Sequence, residues 1–156
     1  MPVLVGRIGR TNINCLLWVG VVSRSEALGF PARIDPTRPE FGCRWISYFD
    51  PGADLSELDI DCLVEVRERL RRVVSGLAAK GELRMMLVSD SKDNDALLAT
   101  WQAMTTADPA YPSNPVFLHN IHSASHALGL STAEADSATL WIETQVRRLK
   151  DECAQG

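Results

Sequence analysis

The stretch from Cys43 to Leu87 constrains the fold of this chain more than any other: an apolar run closing at Asp50, an acidic loop, a long amphipathic segment, a glycine stop and a second apolar run. Leu63, Val66, Leu70, Val73, Val74 and Leu77 recur at the three-and-four spacing that lines one face of an α-helix. Glu65, Arg67, Glu68, Arg69, Arg71 and Arg72 occupy the other face, which is expected to be solvated. Glu65 precedes Arg69, and Glu68 precedes Arg72, by the four residues that let an ion pair support an exposed helix. Asp59 or Asp61 can cap the start by accepting orphan amide hydrogens, and Gly81 can take the left-handed conformation that ends many helices. Leu83 to Val88, broken only by Arg84, then has the continuous apolar character of a strand covered on both faces. The unit is β-loop-α-β.

Before it, Val3 to Ile8 and Asn14 to Val22 read as strands of a hairpin joined through Gly9 to Asn12. Ser23 and Glu26 form a capping box for a helix that Gly29 and Pro31 must keep short. Pro36 and Pro39 mark a loop. After it, the polar run Ser89 to Asp95 reads as a loop whose aspartates and Asn94 can cap a helix with Leu97, Leu98, Trp101 and Met104 on one face, and three prolines hold an extended loop before a short strand, Val116 to Leu118. Ile121, Ala124 and Leu128 follow at helical spacing up to Gly129. Ser131 and Glu134 box the start of a long helix striped by Ala135, Ala138, Ile142, Val146, Leu149 and Cys153. Strands alternating with helices predict an α/β fold whose mixed, mostly parallel sheet is flanked by helices. Residues 1–130 form the α/β domain, and 131–156 a C-terminal helical extension of it.

A net charge of −4, with no basic cluster outside the mixed helix, argues against nucleic acid as a partner. The apolar stretch from Cys15 to Val22 is far shorter than the about 20 residues that cross a bilayer, and glycines and arginines interrupt the first segment before a secretory signal can build. No transmembrane segment and a cytoplasmic location are therefore expected. Cys15, Cys43, Cys62 and Cys153 are scattered without a Cys-x-x-Cys pair, which favours reduced thiols.

Four candidate chemistries stand beside plainer explanations. His119, His122 and His126 lie within eight residues, and the four-residue step from His122 to His126 puts two rings on one helix face where they could share a metal ion with His119. Measured against Ile121, Ala124 and Leu128, however, both helical histidines point away from the apolar side, as solvated residues would. Gly6, Arg7, Ile8, Gly9 and Arg10 echo part of a dinucleotide loop, but Leu4 stands where the first glycine is required and no helix follows, so the segment is a hairpin turn. Cys62 at a helix N-terminus has a dipole in its favour, yet Asp59 and Asp61 flank it and disfavour a thiolate. No cofactor is called for. Open α/β sheets bind ligands beyond the carboxyl ends of their strands, and there the chain carries Asp50, Asp54, Ser56 and Asp59 after one strand, with Asp61 at the helix end, and Ser89, Asp90, Ser91 and Asp93 after the next. Such a rim suits a cation or a basic partner surface, although helix capping alone would account for it.

The element order, with Trp45 to Leu63 (WISYFDPGADLSELDIDCL), Arg84 to Met104 (RMMLVSDSKDNDALLATWQAM) and Asn120 to Leu130 (NIHSASHALGL), resembles the STAS fold and in particular the SpoIIAA-like group of small bacterial proteins. The resemblance spans most of residues 1–130 and leaves the last helix outside. It implies a non-enzymatic regulatory module that docks a protein partner, released in the sporulation type by phosphorylation of a serine at the start of the second helix. Here Asp61 falls at that position, so that switch is closed to this chain; Ser56 is the nearest hydroxyl. The alternatives are a small-molecule or lipid-binding domain with a pocket between helices and sheet, and a metal-dependent enzyme built on the histidine cluster. Homodimerisation through the last helix is a further expectation.

Overall fold

The computed structural model describes residues 2–155. Strands β1 (Val3–Arg7) and β2 (Asn14–Trp18) form the expected hairpin, the second strand ending sooner than its apolar run. Gly9 turns the chain at φ 51°. Helix α1 (Arg24–Gly29) is capped by the Ser23 hydroxyl and passes into a 3₁₀ turn, Phe30–Arg33, where Pro31 stops it. Next come β3 (Arg44–Phe49), α2 (Ile60–Ala78), β4 (Arg84–Ser89), α3 (Lys92–Thr106), β5 (Val116–Leu118), α4 (Ile121–Ala127) and α5 (Thr132–Gln155).

The five strands lie in sequence order, β1-β2-β3-β4-β5, antiparallel at β1/β2 and parallel at every later pair. Right-handed crossovers between successive neighbours must all fall on one face of such a sheet. Accordingly α1, α2 and α3 cover one face, with Leu16, Trp18, Trp45, Phe49 and Leu87 beneath them. The alternate residues Cys15, Leu17, Ile46, Met86 and Val88 point the other way and meet α4 and α5. Both faces of the central strands are apolar, so each requires a cover.

That requirement sets the role of α5. Its stripe, Ala135, Ala138, Ile142, Val146 and Leu149, is buried on the sheet of its own chain, while Cys153, expected in the stripe, is exposed. Leu140, 66% exposed, is the large apolar residue left on its outer side. The Ser131–Glu134 box forms reciprocally, Ser131 N–H donating to Glu134 Oε1 at 3.0 Å and Glu134 N–H to Ser131 Oγ at 3.2 Å.

Three local expectations are corrected. Helix α2 stops at Ala78, and Gly81 lies beyond it at φ 155° rather than in the left-handed helical region; a Cβ there would come within 3.1 Å of Cys43 Sγ. Helix α3 starts at Lys92, inside the polar run taken for loop, because Ser91 caps it and Asn94 is buried in its first turn. The charged face of α2 is only partly solvated. Glu65 pairs with Arg69 at 3.0 Å as expected, but Glu68 turns to Arg71 at 2.8 Å rather than to Arg72. Arg71 Nη2 also lies 2.7 Å from Asp108, whose carboxyl it holds below the ordinary range by hydrogen bonding. This pair ties the loop after α3 to α2.

Replacing Ile142 by Ala should cost about 2–5 kcal/mol because it opens a cavity on a fully buried face, whereas Leu140→Ala should stay within about 0.5 kcal/mol. Urea unfolding of the two variants compares them directly.

Candidate functional site

The loops after β3 and β4 emerge at the same end of the parallel strands. They are joined there: Asn94 in the first turn of α3 donates through Nδ2 to Ala53 O at 3.4 Å. The segment after β2 joins them as well, since Val21 bridges to Asp54 and Val22 N–H donates to Asp54 O at 3.0 Å. Three consecutive βα connections therefore make one surface.

Within it the acidic and hydroxyl residues divide by task. Asp59 is the N-cap of α2, its Oδ1 accepting from Cys62 N–H at 2.8 Å while Arg24 Nη1 reaches the same oxygen at 3.2 Å. Ser91 caps α3 by accepting from Asp93 N–H. Asp54 Oδ1 accepts from the Ser56 amide at 3.0 Å, and the Ser56 hydroxyl and amide together lower its carboxyl pKa. Asp61, Asp90 and Asp93 are exposed. Asp54 and Asp61, with Glu57 beside them, enter no ion pair among the described residues. Asp50, by contrast, is buried at the end of β3, accepts from Gly52 N–H at 3.1 Å and meets Lys150 Nζ of α5 at 3.1 Å.

Residues of another kind complete this end. Val21 (63%), Ile60 (64%) and Val64 (37%) are exposed. Ile60 and Val64 stand four apart at the start of α2, on one side of it, and off the stripe that the helix buries. Their signal was present in the sequence: two apolar residues flank a stripe already complete without them. Large exposed apolar groups with a polar rim mark contact surfaces, whereas single ones carry little meaning.

The histidines do not converge. His122 Nε2 lies 3.2 Å from Asp136 Oδ1 on α5, His126 Nδ1 lies 3.1 Å from Leu130 O, and His119 sits edge-on to Phe117 with ring centroids 5.5 Å apart. The His122 and His126 rings are 6.4 Å apart. No group of three or more His, Cys, Asp or Glu among the described residues is arranged to hold a metal ion. Cys62 is fully buried, and burial raises its thiol pKa despite Arg24 nearby. Cys15 is likewise buried, its thiol pushed up to about 12 by desolvation. A protonated thiol is a poor nucleophile.

On the α1-α2-α3 side of the sheet an apolar cavity of about 80 Å³ lies under α2 and α3. Its wall includes Leu70, Leu98 and Trp101, with Ser47, which accepts from the Trp18 indole at 2.9 Å, and Ser113. Nothing in the spacing of Tyr111 or Ser113 marks them in the sequence, because a proline-rich loop brings them there.

No family model, no curated protein and no solved structure matches the chain. No helix among the described residues is long and apolar enough to cross a membrane.

The division between cap and surface is measurable. Asp59→Ala should destabilise the fold by about 1 kcal/mol through loss of the cap, while Asp61→Ala should change it by less than about 0.5 kcal/mol. Chemical denaturation of both variants tests the assignment.

Proposed function

We propose that the protein is a non-enzymatic interaction module that docks a protein partner through the N-terminal end of α2. The observation that carries this is the exposure of Val21, which bridges to Asp54, and of Ile60 and Val64 in the first turns of α2, the segments that also carry Glu57 and Asp61. Burying apolar surface is worth roughly 25 cal/mol per Å², and unpaired carboxylates around it select a partner with a basic rim and speed its encounter. An apolar centre within a charged border is the usual anatomy of a specific protein contact.

The resemblance to STAS proteins of the SpoIIAA-like group supports the same surface, since their docking is governed from the start of the second helix. Asp61 then supplies permanently about half the charge that a phosphoserine would add only on modification. Because added negative charge at that position releases the partner in the sporulation type, a fixed carboxylate there implies a partner of the opposite preference, with a basic contact surface, and docking in this chain is not switched by phosphorylation at that position.

The test is a quantitative pull-down with the tagged full-length protein from extracts of the cells that make it. A specific partner should be retained by wild type and by Leu140→Glu, and lost at least tenfold with Ile60→Glu or Val64→Glu. Asp61→Lys should weaken retention most at low salt, where unscreened charge counts for more. Equal retention by all variants, or no protein retained by wild type at low salt, would contradict the proposal.

A further inference from the structure

We propose that the cavity beneath α3 is a binding site for a small neutral molecule with an apolar body and one hydrogen-bonding atom. Its wall is built from the sheet residues Leu16 and Trp45, from Leu70 of α2 and from Leu98 and Trp101 of α3. Tyr111 is the one ionisable side chain of the lining, and burial raises its pKa, so the site offers nothing to a charged ligand. Ser113 also lines it. Only 6% of that residue is exposed, and its hydroxyl oxygen has no hydrogen-bond partner. A buried polar atom without a partner is costly and rare in folded proteins. The other polar atoms of the wall, on Ser47, Tyr111 and the tryptophans, are few in a lining that is otherwise aliphatic and aromatic, and an alcohol, ketone or phenol partners the Ser113 hydroxyl while its apolar body fills the rest.

The size of the ligand depends on α3. A dry apolar cavity of about 150 Å³ holds benzene, so about 80 Å³ accepts roughly half as much. Of the two long helices over the cavity, α3 is the one better able to yield. Of its buried residues, Asn94, Leu98 and Thr105, only Leu98 is a large apolar side chain, whereas α2 buries Leu63, Val66, Leu70, Val74 and Leu77. Leu97, Trp101 and Met104 of α3 are only partly buried. A ligand longer than the present space is accommodated by outward movement of α3, not by rearrangement of the sheet.

The four tryptophans supply the readout. Trp18, Trp45 and Trp101 line the cavity, and Trp141 packs on the opposite face of the sheet. In ¹H–¹⁵N spectra of the whole protein, titration with straight-chain alcohols from butanol to octanol should move the first three indole signals saturably and leave Trp141 in place. Ser113→Ala should weaken alcohol binding about two- to tenfold, the effect of one neutral hydrogen bond, and leave pentane binding unchanged. Leu98→Trp should abolish both by filling the space; if that variant does not fold, the Ser113→Ala comparison decides alone. Linear, unsaturable shifts of all four indoles would overturn the proposal, as would alcohol affinity indifferent to Ser113→Ala.

Discussion

The central strands β2, β3 and β4 are apolar on both faces, and everything else in the molecule answers that fact. Because the strands lie in chain order, the crossover helices are confined to one face, and the second face would meet water without α4 and α5. Helix α5 is thus a wall of the core, held by Ile142, Val146 and Leu149, and tied to the far end of β3 through Lys150 and Asp50. The same topology gathers the loops after β2, β3 and β4 at one end, which is how Val21, Asp54 and Ile60 come to share a surface.

Helix α2 serves three environments at once. Leu63, Val66 and Leu70 face the sheet and line the cavity, Arg67 and Arg71 anchor the loop carrying Asp108 and Tyr111, and Ile60 and Val64 stay open at its N-terminal end. One face being spent on the core explains the strength of its periodic signal. The other faces show why periodicity alone was an incomplete guide: a guanidinium drawn as solvated is half-covered once a loop folds back upon it.

What was legible in the sequence was what depends on neighbours along the chain. The α2 stripe, the Ser131–Glu134 box and the brevity of α1 follow from spacing and local chemistry, which also narrowed the α2 cap to Asp59 or Asp61. What was not legible depends on distant segments. The spacing of His122 and His126 permits a shared metal ion, yet Asp136 and Leu130 engage the two rings separately. Asn94 sat in a run indistinguishable from loop until Ala53 O gave its side chain a partner. The cavity wall draws on segments from Leu16 to Pro115, beyond the reach of any local pattern.

A sheet fixed between α2 and α5, with α3 holding one large apolar side chain fully in the core against the five of α2, is the arrangement on which both the docking end and the cavity rest. Helices anchored by few buried apolar side chains open below the global unfolding free energy. Native-state hydrogen exchange followed by mass spectrometry at peptide resolution measures that ordering directly. Exchange of residues 92–106 well ahead of 60–78 and 132–149, with strands 44–49 and 84–89 slowest, is the predicted result. Protection of α3 equal to that of α2 and the central strands would contradict it.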